Sequence, residues 1–166
     1  KNNFDKIIIS PGPGSPVDES YFGICKEVIK VFGNTNTPIL GICLGMQGIV
    51  HVFGGEIIQA KLPMHGKSSF LIHDQDGVHY DIPQRIEIMR YHSLIVNNLK
   101  LPKNLKITAF CKNIDKPFTI NDFNLNEDEI MAIKHVSKPI FGIQYHPESF
   151  ATEGGKKVIS NFLKIN

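Results

Sequence analysis

The 166-residue sequence predicts an α/β fold with a largely parallel central sheet. Three observations carry that expectation. Short, mostly apolar runs recur at 7–9, 38–42 and 140–145, the mark of strands buried on both faces. Over the first third these runs alternate with segments of helical periodicity, giving strand, helix, strand, helix. Each run also ends in a segment rich in Pro, Gly or polar groups, where such sheets hold their sites.

Residues 4–10 read as the first strand, with three consecutive isoleucines. Pro-Gly-Pro-Gly-Ser-Pro at 11–16 excludes regular structure and makes a shaped loop. Across 18–32, Tyr21, Phe22, Ile24, Cys25, Val28, Ile29 and Phe32 recur at helical spacing, with Asp18 as N-cap and Gly33 as the stop. Residues 38–42 form a strand and 44–53 a helix. The middle changes character: 56–64, 68–73, 86–96, 106–111 and 129–136 read as shorter, antiparallel-looking strands. Residues 113–128, rich in Asn and Asp, read as an exposed insertion loop. After the strand at 140–145, residues 153–165 close the chain as a helix with Val158, Ile159, Phe162 and Leu163 on its apolar face. No repeat or linker divides the chain, so one domain over 1–166 is expected.

Composition narrows the partners. A hydrophobic content of 42% with 20% charged residues is that of a globular domain. A net charge of +2, with dispersed lysines, predicts no nucleic-acid partner. No apolar run has the length of a membrane span. Cys25, Cys43 and Cys111 show no C-x-x-C spacing, which fits a reducing compartment, the cytoplasm.

The chemistry centres on Cys43 in Gly-Ile-Cys-Leu-Gly-Met-Gln, residues 41–47. A nucleophile between small residues, after a strand and before a helix, has the pattern of a nucleophile elbow. Gly41 and Gly45 allow close backbone approach, and the helix N-terminus favours a thiolate. A buried, inert thiol is the competing reading. His146 follows the buried strand at 140–145, on the same sheet edge as Cys43, and Glu148 follows two residues later. Together they suit a Cys-His-Glu triad, with His146 as base and Glu148 orienting it. Gly12 and Gly14 could offer backbone N–H donors to a developing oxyanion, with the N–H of Leu44 as a second donor.

The 11–16 loop, the 41–47 elbow and Phe-Gly-Ile-Gln-Tyr-His-Pro-Glu-Ser at 141–149 closely resemble the class I (triad) glutamine amidotransferases. His-Gly-Lys-Ser-Ser at 65–69, Arg-Tyr-His-Ser-Leu at 90–94 and Thr-Glu-Gly-Gly at 152–155 resemble the chorismate-utilising branch, serving anthranilate or para-aminobenzoate synthesis. The resemblance implies a flavodoxin-like fold and the hydrolysis of L-glutamine to glutamate and ammonia through a Cys43 thioester. It implies Gly12 and Leu44 in the oxyanion hole, and Gly12, Pro13, Gly14, Gln47, Ser93 and Leu94 around the glutamine. The ammonia would pass to a chorismate-binding synthase, whether separate or fused to this domain, with no metal or cofactor in this domain and Mg²⁺ only in the partner. The anthranilate branch is preferred over the para-aminobenzoate one. Met46 stands where the branch usually has His, and the 113–128 insertion is longer than usual and expected away from the site. Family members open with a βαβ unit that this sequence is expected to lack. A stand-alone γ-glutamyl hydrolase or peptidase-like cysteine hydrolase is the alternative of another class, and a non-catalytic scaffold domain a third.

Overall fold

The computed structural model describes residues 4–112 and 117–166. Its strands are β1 (Ile7–Ile9), β2 (Ile39–Ile42), β3 (Ile57–Gln59), β4 (Lys67–His73), β5 (Glu87–Arg90), β6 (Leu94–Val96), β7 (Leu105–Cys111), β8 (Ile130–His135) and β9 (Ile140–Ile143). The helices are α1 (Glu19–Phe22), α2 (Cys25–Phe32), α3 (Leu44–Val52) and α4 (Gly155–Leu163).

Seven strands form one sheet in the order β1-β2-β9-β8-β7-β4-β5, and β3 pairs with β6 in a separate ribbon. The α/β class holds, with a different balance of pairings. Among the described residues, β1–β2 and β2–β9 are parallel, whereas β9–β8, β8–β7, β7–β4 and β4–β5 are antiparallel. The sheet is therefore mixed rather than mostly parallel. The mid-chain strands add to the parallel half edge to edge, and short connections such as the one from β8 to β9 force neighbours to run in opposite directions.

Strand alternation divides the core. Ile39 and Ile140 point to one face, where Met46, Ile49 and Val50 of α3 and Ile29 of α2 cover them. Leu40, Ile42, Phe141 and Ile143 point to the other, against Val158 and Phe162 of α4. The glycines at 41 and 142 are paired in register, on the α3 side. A β-carbon at Gly41 would lie 2.4 Å from the Gly45 backbone, and one at Gly142 would lie 2.8 Å from Met46. Helix α3 therefore lies directly on β2 and β9, its N-terminus at their carboxyl ends.

Two expected elements divide and a third shortens. The helix over 18–32 becomes α1 and α2 because Gly23, at φ +47°, breaks it. Asp18 caps α1 as expected, accepting from Ser20 N–H at 2.9 Å. Gly33 does end α2, in a right-handed conformation. The strand expected over 86–96 splits into β5 and β6, which join different sheets, and the one over 56–64 shortens to β3. Of the insertion at 113–128, residues 113–116 lie outside the described residues. The remainder is mostly exposed, with a capping box around Thr119 and Asp122, but Asp128 is buried and accepts from Lys112 Nζ.

One polar cluster lies under the sheet. His79 is wholly buried, its ring centroid 4.9 Å from that of His73 and its Nε2 3.0 Å from the Tyr145 hydroxyl. Burial, with His73 beside it, pushes the His79 pKa down from 6.5 to about 3. The unfolded chain thus takes up a proton below pH 6.5 that the folded chain refuses. Stability from this group is full above the unfolded pKa and falls by about 1.4 kcal/mol per pH unit as pH drops toward the folded value. In urea titrations at about pH 7 and about pH 5, His79→Gln should lose about 2 kcal/mol less between the two than the unaltered protein. Equal losses would place the acid sensitivity elsewhere.

Candidate active site

Cys43 occupies the turn between β2 and α3. Its N–H donates to the Ile143 carbonyl at 2.7 Å, a bond that continues the β2–β9 ladder. Its backbone, at φ +50° and ψ −103°, lies outside the regions non-glycine residues favour. Such strain collects at functional positions that the surrounding packing over-determines. Gly45 is required here, because a β-carbon on it would lie 2.4 Å from the Ile9 carbonyl oxygen. Burial pushes the Cys43 thiol up to about 11. The Leu44 N–H pulls it down, the Glu148 charge adds to the rise, and a donor from Gln144 lowers it again. The thiolate expected from the helix N-terminus is therefore outweighed by desolvation in the resting protein.

His146 lies beyond β9, at the same sheet edge. Its Nδ1 is 2.7 Å from Glu148 Oε1, and a carboxylate can only accept, so the Nδ1–H donates. The remaining ring nitrogen, Nε2, is buried and has no hydrogen-bond partner among the described residues. The segment carrying these two side chains is fastened to β5. His146 N–H donates to the Met89 carbonyl at 3.1 Å, Thr152 Oγ1 donates to the His146 carbonyl at 2.6 Å, and Met89 N–H donates to Thr152 Oγ1 at 3.1 Å. Glu153 and Glu87 exchange two further bonds at 2.8 Å. Gly155 packs so closely that a β-carbon on it would lie 2.0 Å from the Pro147 carbonyl oxygen. The Thr-Glu-Gly-Gly sequence at 152–155 thus serves as the brace of the His146 turn.

A cavity of about 240 Å³ opens over the thiol. That is below the roughly 300–1,000 Å³ of pockets for drug-sized ligands and suits a metabolite the size of an amino acid. Gly12, Pro13, Gly14, Cys43, Leu44, Gln47, Ser93 and Leu94 all line it, joined by His65, Tyr91 and His92. His146 and Glu148 are not in the lining; Tyr91 meets the His146 ring edge-on at 5.0 Å. Gly12 and Leu44 approach closely, with a β-carbon on Gly12 falling 2.8 Å from Leu44 Cδ2. His65 Nε2 and Ser93 Oγ are 3.0 Å apart across the entrance.

Two groups are not foreshadowed by the sequence motifs. Gln144 is wholly buried; its Nε2 donates to Cys43 Sγ at 3.5 Å and its Oε1 accepts from Gln47 Nε2 at 3.0 Å. An amide in an otherwise apolar strand end is the available signal. Glu129 accepts from Arg90 Nη1 at 2.7 Å and has His92 Nε2 at 3.3 Å from the same oxygen. Burial alone would raise its carboxyl, but the His92 hydrogen bond and the Arg90 charge leave its pKa lowered. Burial holds the His92 pKa down. Nothing local to Glu129 announces this long-range role.

The Glutamine amidotransferase class-I family model matches residues 1–165. The anthranilate synthase component 2 of Leptospira biflexa is 48% identical over 161 residues, 97% of this chain and 75% of that protein. That of Methanocaldococcus jannaschii is 44% identical over 99% of this chain and 77% of its own length. The bifunctional protein TrpGD of Thermotoga maritima is 41% identical over 99% of this chain, which covers 25% of that protein. Among solved structures, a GMP synthase-type protein of Thermoplasma acidophilum superposes with a TM-score of 0.78 at 23% identity, over 98% of this chain and 72% of that one. A glutamine amidotransferase of Thermotoga maritima gives 0.70 at 16% identity, over 97% and 61% respectively. These two structural likenesses show the fold; the sequence matches show the family. The chain belongs to the class-I glutamine amidotransferases, in the group of the anthranilate synthase component 2 proteins.

Proposed function

We propose that the chain, as one amidotransferase domain over 1–166, hydrolyses L-glutamine and delivers the ammonia to a chorismate-binding synthase that makes anthranilate, in tryptophan biosynthesis. The carrying observation is one amino-acid-sized cavity that gathers Cys43 with Gly12, Leu44, Gln47, Ser93 and Leu94. The names of the relatives favour the anthranilate branch over the para-aminobenzoate one, and the fused relative supports a partner working beside this domain.

The thiol pKa of about 11 leaves only about one part in ten thousand ionised near neutrality, so a base is required. His146 supplies it. With Nδ1–H donated to Glu148, its Nε2 carries the lone pair that takes the Cys43 proton. Cys43 Sγ then bonds to the side-chain amide carbon of glutamine, and the carbonyl oxygen becomes an oxyanion. The N–H groups of Gly12 and Leu44 receive that charge. The imidazolium of His146 returns its proton to the departing nitrogen, ammonia leaves, and a γ-glutamyl thioester remains. Water, deprotonated by His146, opens the thioester and releases glutamate. Gln47, Ser93 and Leu94, with Pro13 and Gly14, hold the rest of the substrate. The reaction uses protein groups and water, so any Mg²⁺ requirement lies with the synthase. Among the described residues no helix is long and apolar enough to cross a membrane. We place the chain in the cytoplasm, a reducing setting that suits its three free cysteines.

Cys43→Ser should abolish glutamine-dependent anthranilate formation in the complex with the synthase and leave formation from added ammonia intact. Retained glutamine use would sink the proposal, and a glutaminase that needs no synthase would favour the stand-alone hydrolase. Gly155→Ala acts from a distance. Its new methyl displaces the Pro147 carbonyl and with it His146, so glutamine-dependent turnover should fall at least about tenfold. Ammonia-dependent synthesis, measured on the same preparation, should be unchanged.

A further inference from the structure

We infer that Gln144 is a dedicated donor to the nucleophile, fixing the Cys43 sulfur and stabilising its negative charge before attack and again when the thioester breaks. The inference rests on the reading of Cys43 as nucleophile. It assigns a task to a side chain that the triad and the oxyanion hole leave unused.

The direction of the hydrogen bonds follows from the chain they form. The Leu94 carbonyl can only accept, so the Gln47 atom 2.9 Å from it is the amide nitrogen. That nitrogen also faces Gln144 at 3.0 Å, which must therefore present its oxygen. The Gln144 nitrogen is then turned toward Cys43 Sγ, at 3.5 Å. A wholly buried amide is costly unless its polar atoms are partnered, and here the partners are a cavity residue on one side and the sulfur on the other. Gln144 directly follows β9, where its N–H donates to the Met131 carbonyl of β8 at 2.8 Å, and Gln47 is held on α3, so the donor is in place before substrate arrives.

The Leu44 N–H also acts on the sulfur in the resting protein. That N–H is claimed by the oxyanion once attack begins, and Gln144 remains as the sulfur's donor. The same holds in thioester hydrolysis. Water adds to the carbonyl carbon and gives one proton to His146; the C–S bond then breaks and its electron pair returns to sulfur. The imidazolium reprotonates the thiolate, and glutamate leaves. A donor aimed at sulfur lowers the energy of the state in which the pair arrives. The other ionisable groups around the thiol are Glu148, whose charge opposes ionisation, His65 and His92 in the cavity wall, and His146 on the adjacent turn.

The test is the pH dependence of Cys43 alkylation by iodoacetamide in the full chain, followed on the Cys43 peptide by mass spectrometry. It needs no glutamine, so its failure is separable from failure of the Cys43→Ser experiment. In Gln144→Met, which keeps the volume and removes the donor, the alkylation midpoint should rise by about one pH unit. The kcat for glutamine hydrolysis should fall about tenfold or more, beyond any rise in KM. Gln144→Glu keeps the shape should the first variant fail to fold. It offers a donor only as the neutral acid, so its activity should fall more steeply with rising pH than that of the unaltered protein. An unchanged alkylation midpoint in both variants, with kcat within about twofold, would overturn the assignment.

Discussion

The parallel pairing of β2 with β9 is the constraint on which the rest depends. Ile42 stands opposite Ile143, and the next rung is the hydrogen bond from Cys43 N–H to the Ile143 carbonyl. That rung sets the thiol beside Gln144 and brings the His146 turn to the same edge. A slip of one residue would invert every side chain of the slipped strand. Cys43 would leave Gln144, and the paired glycines at 41 and 142 would no longer meet α3. Close seating of α3 on these glycines aims its first N–H groups past the thiol and lets Gln47, one turn on, reach both Leu94 and Gln144.

The site departs from the rules the core obeys. Cys43 holds a positive φ, its thiol is desolvated, and His146 Nε2 is buried without a partner among the described residues. Each costs stability, and each is what the proposed role of Cys43 as nucleophile would require. Compensation is local. The Thr152 hydroxyl alone engages both the His146 carbonyl and the Met89 N–H, tying the His146 turn to β5 while α4 packs beneath it. Strain at Cys43 therefore persists because the elements on both sides of it are fixed.

Legibility in the sequence followed the range of the interactions. The strands at 39–42 and 140–143 were readable because burial on both faces leaves an unbroken apolar run; the run at 7–9 gave the same signal, but β1 is an edge strand whose Ile8 is exposed, so it is not buried on both faces as expected. The break at 91–93 was not, since no Gly or Pro marks where the chain leaves β5 for the ribbon with β3. Cys43, Gly12, Gly14 and Leu44 were visible through local glycine and strand-end chemistry. Gln47, Ser93 and Leu94 came only through family resemblance, because their place depends on β6 docking near α3, a contact no local pattern encodes. The same limit explains the mixed sheet: each mid-chain strand looked antiparallel, but its attachment to the parallel half is a tertiary fact.

The charged cluster behind the cavity wall shows why the two halves of the sheet must be continuous. Arg90 ends β5, Glu129 precedes β8, and His92 belongs to the segment that crosses to β6. An almost wholly buried guanidinium is tolerable only against a carboxylate, and the carboxylate's second task is to receive His92. With Nε2–H directed at Glu129, neutral His92 carries an unprotonated Nδ1, and its ring lines the same cavity as the thiol. Removing any one member would strand a buried polar group beside that cavity. The Arg-Tyr-His-Ser-Leu sequence is thus one structural unit. Arg90 anchors the wall, Tyr91 meets His146, His92 faces the cavity and Ser93 engages His65. The segment that runs from β5 into β6 supplies this wall, and the anchorage of β5 at the antiparallel end of the sheet holds that segment over Cys43.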